Sequence, residues 1–341
     1  MPPAFASPTA SKKSLIPVSV TLTTEKARNR PELGTAPDYR ALKLPSDFLY
    51  PRYWPVWAAL GLLRFGVFLP LALARWLGAL WGWVFLLLNR KRRRIVRANL
   101  SMCFPELAKR ERERLLRRHF VVIGKSYADL GFLAWASKPW LEQHIRIVGR
   151  EHLQIHRDKN VILLTPHCLG VNFGSIVARH REAFSMFKPL HDDVANWFLN
   201  KGRMRFGVRL LSRIQGLRPV VRALRLGALF YYVPDEDFGP GQSVFAPFFG
   251  IASATLPTVG RLAEMTDAVV IPVLAKMLPG GQGHEVVFKP ALTSFPTGDR
   301  LKDAARMNEA LEEVIRMAPE QYMWTLKLFR TRPDDGSSPY D

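Results

Sequence analysis

A chain of 341 residues with 49 Lys and Arg against 29 Asp and Glu carries a formal charge of +20, which implies a polyanionic partner: nucleic acid, an anionic bilayer face or a phosphorylated substrate. Its 48% apolar content and mean hydropathy of −0.03 exclude both a wholly disordered chain and a polytopic membrane protein, and leave room for one large domain or two small ones. Two cysteines, Cys103 and Cys168, exclude a disulfide scaffold and any all-cysteine metal site.

The first 48 residues are rich in Pro, Ser, Thr and Lys without periodicity and read as a flexible tail. No apolar run with a cleavage site opens the chain, so secretion is not expected. From Tyr53 the composition changes. Residues 53–88 hold only two charges, Arg64 and Arg75, together with Trp54, Trp57, Trp76, Trp81 and Trp83. The longest run free of charge and proline, Trp76–Leu88, has thirteen residues, short of the roughly 20 that a spanning helix needs. Residues 49–90 are therefore expected to anchor the chain to a membrane, either as one tilted span with snorkelling arginines or as a helical hairpin broken at Pro70 and lying in the interface. Tryptophan at this density suits the headgroup level.

Residues 89–118 follow with twelve Lys or Arg and three Glu, a net +9. Basic clusters beside an apolar segment favour anionic headgroups, at about 1 kcal/mol per charge near the surface, and place this side in the cytoplasm. The run Arg90–Arg94 could also neutralise nucleic-acid phosphates, but no stacking motif or zinc finger accompanies it, so no nucleic acid is expected as partner. Residues 91–335 are expected to form the catalytic domain and 336–341 a C-terminal tail. Beyond residue 119, apolar runs at Asn160–Thr165, Ala228–Val233, Ala268–Leu274 and Glu285–Lys289 predict strands. Helical period marks Trp197–Leu211, Gly216–Leu226 and Asp303–Met317, and the alternation predicts an α/β fold, a mixed sheet flanked by helices.

His119, His144, His152, His156 and His180 sit in polar or basic surroundings and read as solvated. His167 differs, because it leaves a predicted strand through Thr165 and Pro166 and precedes a predicted helix holding Asn172 and Gly174. Strand ends of this kind face the crevice where α/β proteins place their chemistry, and histidine there can act as a general base. No second histidine stands four residues away, so no metal site is expected, and Cys168 reads as a packing residue rather than a nucleophile. A second constellation, Pro234–Pro240, follows the run Ala228–Val233. Its Asp235 and Asp237, two apart, would share a side in extended backbone and could position basic groups, bind a cation or cap a turn. Arg205 and Arg209 share a predicted helical face, as do Arg209 and Arg213, in a row with Arg203 that suits phosphates or plain solvent.

Several motifs in fixed order resemble the late acyltransferases of lipid A biosynthesis: Tyr50–Trp54 (YPRYW), Asn99-Leu100, Cys103–Glu106, Pro234–Pro240, Pro319–Trp324 (PEQYMW) and Phe329–Pro333. The likeness runs from about residue 45 to 335, and the opening YPRYW is closer to the lauroyl-transferring branch. It implies a glycerolipid-acyltransferase-like α/β fold behind an N-terminal membrane-anchoring helical segment, at the cytoplasmic face of the bacterial inner membrane. It implies acyl transfer from acyl carrier protein to a hydroxyl on a phosphorylated glycolipid, without cofactor or covalent enzyme intermediate. On that resemblance His167 is the base, Arg203 stabilises charge and Asp235 shapes the acceptor site, with Arg205 and Asp237 as further substrate contacts.

One residue departs from the family pattern. Where an Asp or Glu stands five residues after the histidine, this chain has Asn172, which would orient the imidazole without supplying charge. In a serine triad the corresponding change costs roughly 10⁴ in kcat, about 5 kcal/mol at 1.36 kcal/mol per decade. The departure leaves three expectations open: Asp192, Asp193 or Asp235 replaces the acid; the enzyme is slow; or the chain is a weak or silent paralogue that binds lipid A precursors or acyl carrier protein.

Overall fold

Short apolar runs that are hydrophobic on both faces can only be buried in the middle of a layered sheet, and this requirement organises the molecule. A computed structural model describes residues 46–213, 216–333 and 336–340; the expected tail lies outside the described residues up to residue 45. In chain order the strands are β1 (Ile145–Val148), β2 (Asn160–Leu164), β3 (Ala183–Phe187), β4 (Arg209–Ser212), β5 (Leu229–Tyr232), β6 (Val244–Phe248), β7 (Ile251–Thr255), β8 (Ala268–Met277) and β9 (His284–Phe288). Seven form one mixed sheet in the order β1-β9-β8-β2-β5-β3-β4, with β8 antiparallel to β9 and every other neighbouring pair parallel. Strands β6 and β7 make a separate antiparallel hairpin. The mixed α/β sheet is thus as expected. At its centre Val161, Ile162, Leu163 and Leu164 of β2 are all fully buried.

Among the described residues ten α-helices cover the sheet and its ends: α1 (Trp54–Gly66), α2 (Leu71–Leu88), α3 (Arg90–Cys103), α4 (Lys109–Trp135), α5 (Lys138–Gln143), α6 (Arg150–Gln154), α7 (Asp193–Arg203), α8 (Arg218–Arg225), α9 (Thr258–Thr266) and α10 (Arg300–Arg316). The helix expected over Trp197–Leu211 is corrected. α7 stops at Arg203, Gly207 takes φ 93°, and Arg209–Ser212 continues as strand β4. The four-residue spacing of Arg205, Arg209 and Arg213 mimicked a helical period across that break.

The break between α1 and α2 falls at Pro70, as expected, and α2 alone among the described residues is long and apolar enough to cross a bilayer. Yet α2 does not stand apart. It crosses α4 where Gly78 and Gly82 face Gly124: a Cβ on Gly82 would lie 2.4 Å from the Phe120 carbonyl oxygen, and one on Gly124 2.0 Å from that of Gly78. Only glycine permits so close an approach. Arg75, expected to snorkel, is instead 4% exposed and forms a two-pronged ion pair with Asp129 of α4, at 2.9 and 3.0 Å. It also donates to the Leu278 and Gly283 carbonyls of the β8–β9 turn, and His284 Nε2 lies 3.1 Å from the same Asp129. The helical pair is therefore built into the domain.

The C-terminal segment is clasped to α3. Asn99 of α3 donates to the Trp324 and Leu326 carbonyls, and Tyr340 donates from its hydroxyl to Asn99 Oδ1. Tyr340 is 5% exposed and so reaches back to the core, while Gly336, Ser337 and Pro339 stay exposed. Phe104, Phe249 and Trp324 meet edge to face or tilted. His119 is also corrected from solvated to fully buried. Its Nδ1 meets the Glu320 carbonyl at 3.0 Å, and burial pulls its pKa down to about 4, so the ring is neutral.

Candidate active site

Strands β2 and β5 are parallel neighbours, so the segments leaving their C-terminal ends emerge side by side. Thr165 N–H donates to the Tyr232 carbonyl at 2.9 Å, which keeps the two exits in register. His167 leaves β2 and Asp235 leaves β5. The Asp235 carboxylate takes two hydrogen bonds from His167, from the backbone N–H to Oδ2 at 2.8 Å and at ring Nδ1 to Oδ1 at 2.6 Å. Burial of this couple works against both charges, but their mutual attraction and the backbone hydrogen bond outweigh it. His167 is raised above the ordinary histidine value and Asp235 lowered below the ordinary aspartate value. The Asp235 side chain is 3% exposed and the His167 ring 20%, so the carboxylate is sealed behind a reachable imidazole.

The loop carrying His167 is braced from behind by the chain's end. Met323 N–H donates to the His167 carbonyl at 2.8 Å, Leu169 N–H donates to the Gln321 carbonyl at 2.8 Å, and Cys168 pairs with Tyr322. Gln321 in turn clamps both backbone groups of Met277 at the end of β8. The PEQYMW motif thus acts as a strut beneath the histidine. Cys168 is 1% exposed, donates to the Ala275 carbonyl at 3.0 Å, and has its pKa pushed up by burial to about 12. It packs, as expected.

His167 borders a cavity of about 380 Å³ whose other walls come from the ends of β3, β4 and β5 and from a 3-10 helix over Val171–Arg179. Met186, Phe187, Leu190, Val208 and Leu210 supply an apolar side, while Asn172, Arg203, Arg213 and Glu236 supply a polar one. Gly174 lets the 3-10 helix lie directly on β5, since a Cβ there would meet the Tyr231 hydroxyl at 2.1 Å.

The structure brings His167, Asn172, Arg203 and Asp235 to one place but redistributes their contacts. Asn172 does not orient His167; its Oδ1 accepts from Arg203 Nε at 2.7 Å. Orientation of the imidazole falls to Asp235, one of the three replacement acids considered. Asp192 instead caps α7 through Ala195 N–H, and Asp193 accepts from the Tyr53 hydroxyl. Arg205 is corrected as a substrate contact: it is 7% exposed and donates to the Leu133 carbonyl of α4. Asp237 is corrected too. It accepts from Gly239 N–H, Thr331 N–H and the Thr331 hydroxyl, tying the PDEDFGP loop to the C-terminal segment.

Two residues were missed. Glu236 Oε1 lies 3.6 Å from His167 Nε2, and its Oε2 accepts from Arg213 Nη1 at 3.0 Å. Strict alternation put residue 236 on the side opposite Asp235 and Asp237, but residues 233–239 are loop, so the alternation does not hold. Ser175, three residues after Asn172 on the 3-10 helix, also borders the cavity. Among the described residues no group of three or more His, Cys, Asp and Glu is arranged to hold a metal ion.

A family model described as bacterial lipid A biosynthesis acyltransferase matches residues 43–331. A lipid A biosynthesis acyltransferase of Haemophilus influenzae is 34% identical over 301 residues, spanning 86% of this chain and 93% of its own length. The lipid A biosynthesis lauroyltransferase of Escherichia coli K12 is 33% identical over 306 residues, spanning 87% and 98%, and the myristoyltransferase of the same organism is 31% identical over 300 residues, spanning 86% and 92%. The crystal structure of a 1-acyl-sn-glycerophosphate acyltransferase from Thermotoga maritima superimposes with a TM-score of 0.34 at 17% identity, covering 72% of this chain and 96% of that one.

Proposed function

This chain belongs to the bacterial lipid A biosynthesis acyltransferases and is a transferase; we propose that it moves a fatty acyl chain from acyl carrier protein to the hydroxyl of a hydroxyacyl chain on a phosphorylated lipid A precursor. The observation that carries this reading is the His167–Asp235 couple at the edge of the cavity. Asp235 holds Nδ1 and the backbone N–H of the same residue, which fixes the tautomer and leaves Nε2 as the base.

In this scheme Nε2 takes the proton of the acceptor hydroxyl as its oxygen attacks the thioester carbonyl. The imidazolium is stabilised by the buried Asp235 carboxylate. Collapse of the tetrahedral intermediate expels the carrier's thiolate, which recovers the proton from Nε2. A new ester and a free thiol result, and the histidine is neutral again. The buried, high-pKa Cys168 supports direct transfer over an acyl-enzyme. The apolar side of the cavity suits an alkyl chain and its cationic side an anionic acceptor. Asp235 also supplies the carboxylate whose apparent loss at position 172 had suggested a silent paralogue.

We place the enzyme at the cytoplasmic face of the inner membrane. Support comes from the outward apolar face of α1 and α2, where Trp54, Phe65, Trp76 and Trp81 are all more than half exposed, and from the exposed basic residues of α3 that follow directly. Because α2 is fastened along α4, this face suits a hairpin seated in the interface better than an isolated span. Mass spectrometry of lipid A from cells lacking this chain tests the assignment. The expected result is an under-acylated lipid A, corrected by the wild-type gene and left uncorrected by His167→Ala; normal acylation in the deleted cells would overturn it.

A further inference from the structure

The ring nitrogen that the proposed transfer uses already has a neighbour. Glu236 Oε1 lies 3.6 Å from His167 Nε2, at the other ring nitrogen from Asp235. That separation is too long for a hydrogen bond, yet short enough for the carboxylate to fill the place of a hydroxyl and to impose its charge on the ring. The two carboxylates differ in how they are held. The Asp235 side chain is 3% exposed and takes two hydrogen bonds from His167. That of Glu236 is 33% exposed and is fastened elsewhere, by its Oε2 to Arg213 Nη1 at 3.0 Å. Arg213 in turn lies over the Phe238 ring, 4.8 Å from its centre, and Asp237 ties the same loop to Thr331. Glu236 is thus a tethered carboxylate resting against the base, free to swing on Arg213 without breaking a bond to the imidazole.

We propose that Glu236 is a specificity-determining residue: resting against Nε2 it keeps that nitrogen from water, and it gives way to the acceptor hydroxyl, so the thioester is not hydrolysed before the acceptor arrives. This rests on the acyl-transfer reading and deepens it. A base with nothing in front of it makes no distinction between a lipid hydroxyl and water. Water would give its proton to Nε2 and add to the thioester carbonyl. The tetrahedral intermediate would then release the carrier's thiol, with the proton returned from Nε2, and leave a free fatty acid. Two features of the carboxylate oppose this. It occupies the approach to Nε2, and its charge favours the imidazolium, which has no lone pair to accept a proton. An acceptor bound by its own chains displaces the side chain toward Arg213, and the nitrogen then meets a hydroxyl instead of solvent. Of the other charged groups facing the ring, Asp235 also favours the imidazolium and Arg213 opposes it. Cys168 and Tyr322, behind the ring, are kept neutral by burial, and Lys188, His191 and Arg203 line the same cavity.

The test follows two products, acylated acceptor and free fatty acid, from an acyl carrier protein thioester, with and without the phosphorylated acceptor and across pH. It compares wild-type protein with Glu236→Ala, Glu236→Gln and Arg213→Gln. Without acceptor, Glu236→Ala is expected to release fatty acid at least tenfold faster than wild type, and with acceptor its ratio of transfer to hydrolysis should fall at least tenfold. Glu236→Gln keeps the cover and loses the charge, so its hydrolysis should lie between the two. The acid limb of kcat/KM, which reports the free enzyme, should move to lower pH in both Glu236 variants and to higher pH in Arg213→Gln. Opposite shifts of this kind would not follow from a loosened loop. Unchanged hydrolysis in Glu236→Ala, transfer and hydrolysis falling together, or an acid limb unmoved in both Glu236 variants would overturn the inference. If the wild-type protein transfers no acyl group, the functional reading fails on its own. The contact is then read by NMR titration of the imidazoles in the full-length protein in detergent, with the His167 signals assigned by His167→Gln: a lower His167 pKa in Glu236→Gln than in wild type supports it, and an equal one overturns it.

Discussion

Asp235→Asn should show how much the imidazole depends on its buried partner. The amide keeps the shape, but it removes the charge that raises the His167 pKa and stabilises the imidazolium. In the serine-protease triad the equivalent change lowers kcat by roughly 10⁴, and a fall of about 10²–10⁴ is expected here. The pH dependence has a definite sign. The base must be neutral, so kcat/KM rises with pH through the His167 pKa, with a midpoint above the ordinary 6.5 in the wild type and a lower one in Asp235→Asn. Cys168→Ala, by contrast, should keep kcat within a few-fold, as measured in the same assay. At this scale the sequence was legible where a residue's place follows from one strand. His167 and Asp235 could each be located at a strand end. Their pairing stood only as one of three options, beside Asp192 and Asp193, because it joins residues 68 apart through the adjacency of β2 and β5, and neither exit segment carries that adjacency in its own pattern. Asn172 was read against a family pattern, and only the position of Arg203 reveals what its side chain holds.

The elements that present this couple are fixed by a few long-range fastenings. The most exacting is the Arg75–Asp129 pair, which joins α2 to α4 and, through Arg75, to the β8–β9 turn. Removing one partner of a buried ion pair costs about 3–5 kcal/mol, so Asp129→Ala should lower the thermal midpoint sharply by that amount of stability. Gly124→Val should loosen α2 from α4 by steric conflict with Gly78 and Gly82, measured as faster proteolysis within residues 66–90. Strands β2, β5, β8 and β9 were legible from their apolar runs, and α8 and α10 from their helical period, whereas α4 and the interior strand β3 were not. The short edge strands β1 and β4 were not: each has four residues with an arginine among them, and β4 follows a run of arginines at helical spacing. Their strand character comes from a neighbour to pair with. Burial of Arg75 and His119 was equally invisible, since a lone charge or imidazole in sequence does not announce the partner that buries it.

Across the whole molecule, one surface is apolar and tryptophan-rich and is continued by the basic α3, whereas the His167–Asp235 couple opens on a cavity at the strand ends. Arg90, Lys91 and Arg94 are exposed. Replacing all three with Gln should weaken binding to anionic vesicles by about 3 kcal/mol, at about 1 kcal/mol per charge, while binding to neutral vesicles persists through the apolar face. Co-sedimentation measures both. The family motifs find their reasons at this scale as well. Asn99 and Phe104 near one end of the domain, and Pro319–Trp324 near the other, meet to close the core and to brace the loop of His167. They form a structural clasp.

The most direct measurement is the rate of acyl transfer from an acyl carrier protein thioester to a tetraacylated lipid A precursor by purified protein in detergent, wild type against His167→Ala and Asp235→Asn, across pH. A proton relay through this couple predicts at least a thousandfold loss in His167→Ala and a lesser loss in Asp235→Asn with its acid limb moved to lower pH. Full activity in His167→Ala, or an unmoved limb in Asp235→Asn, would contradict it.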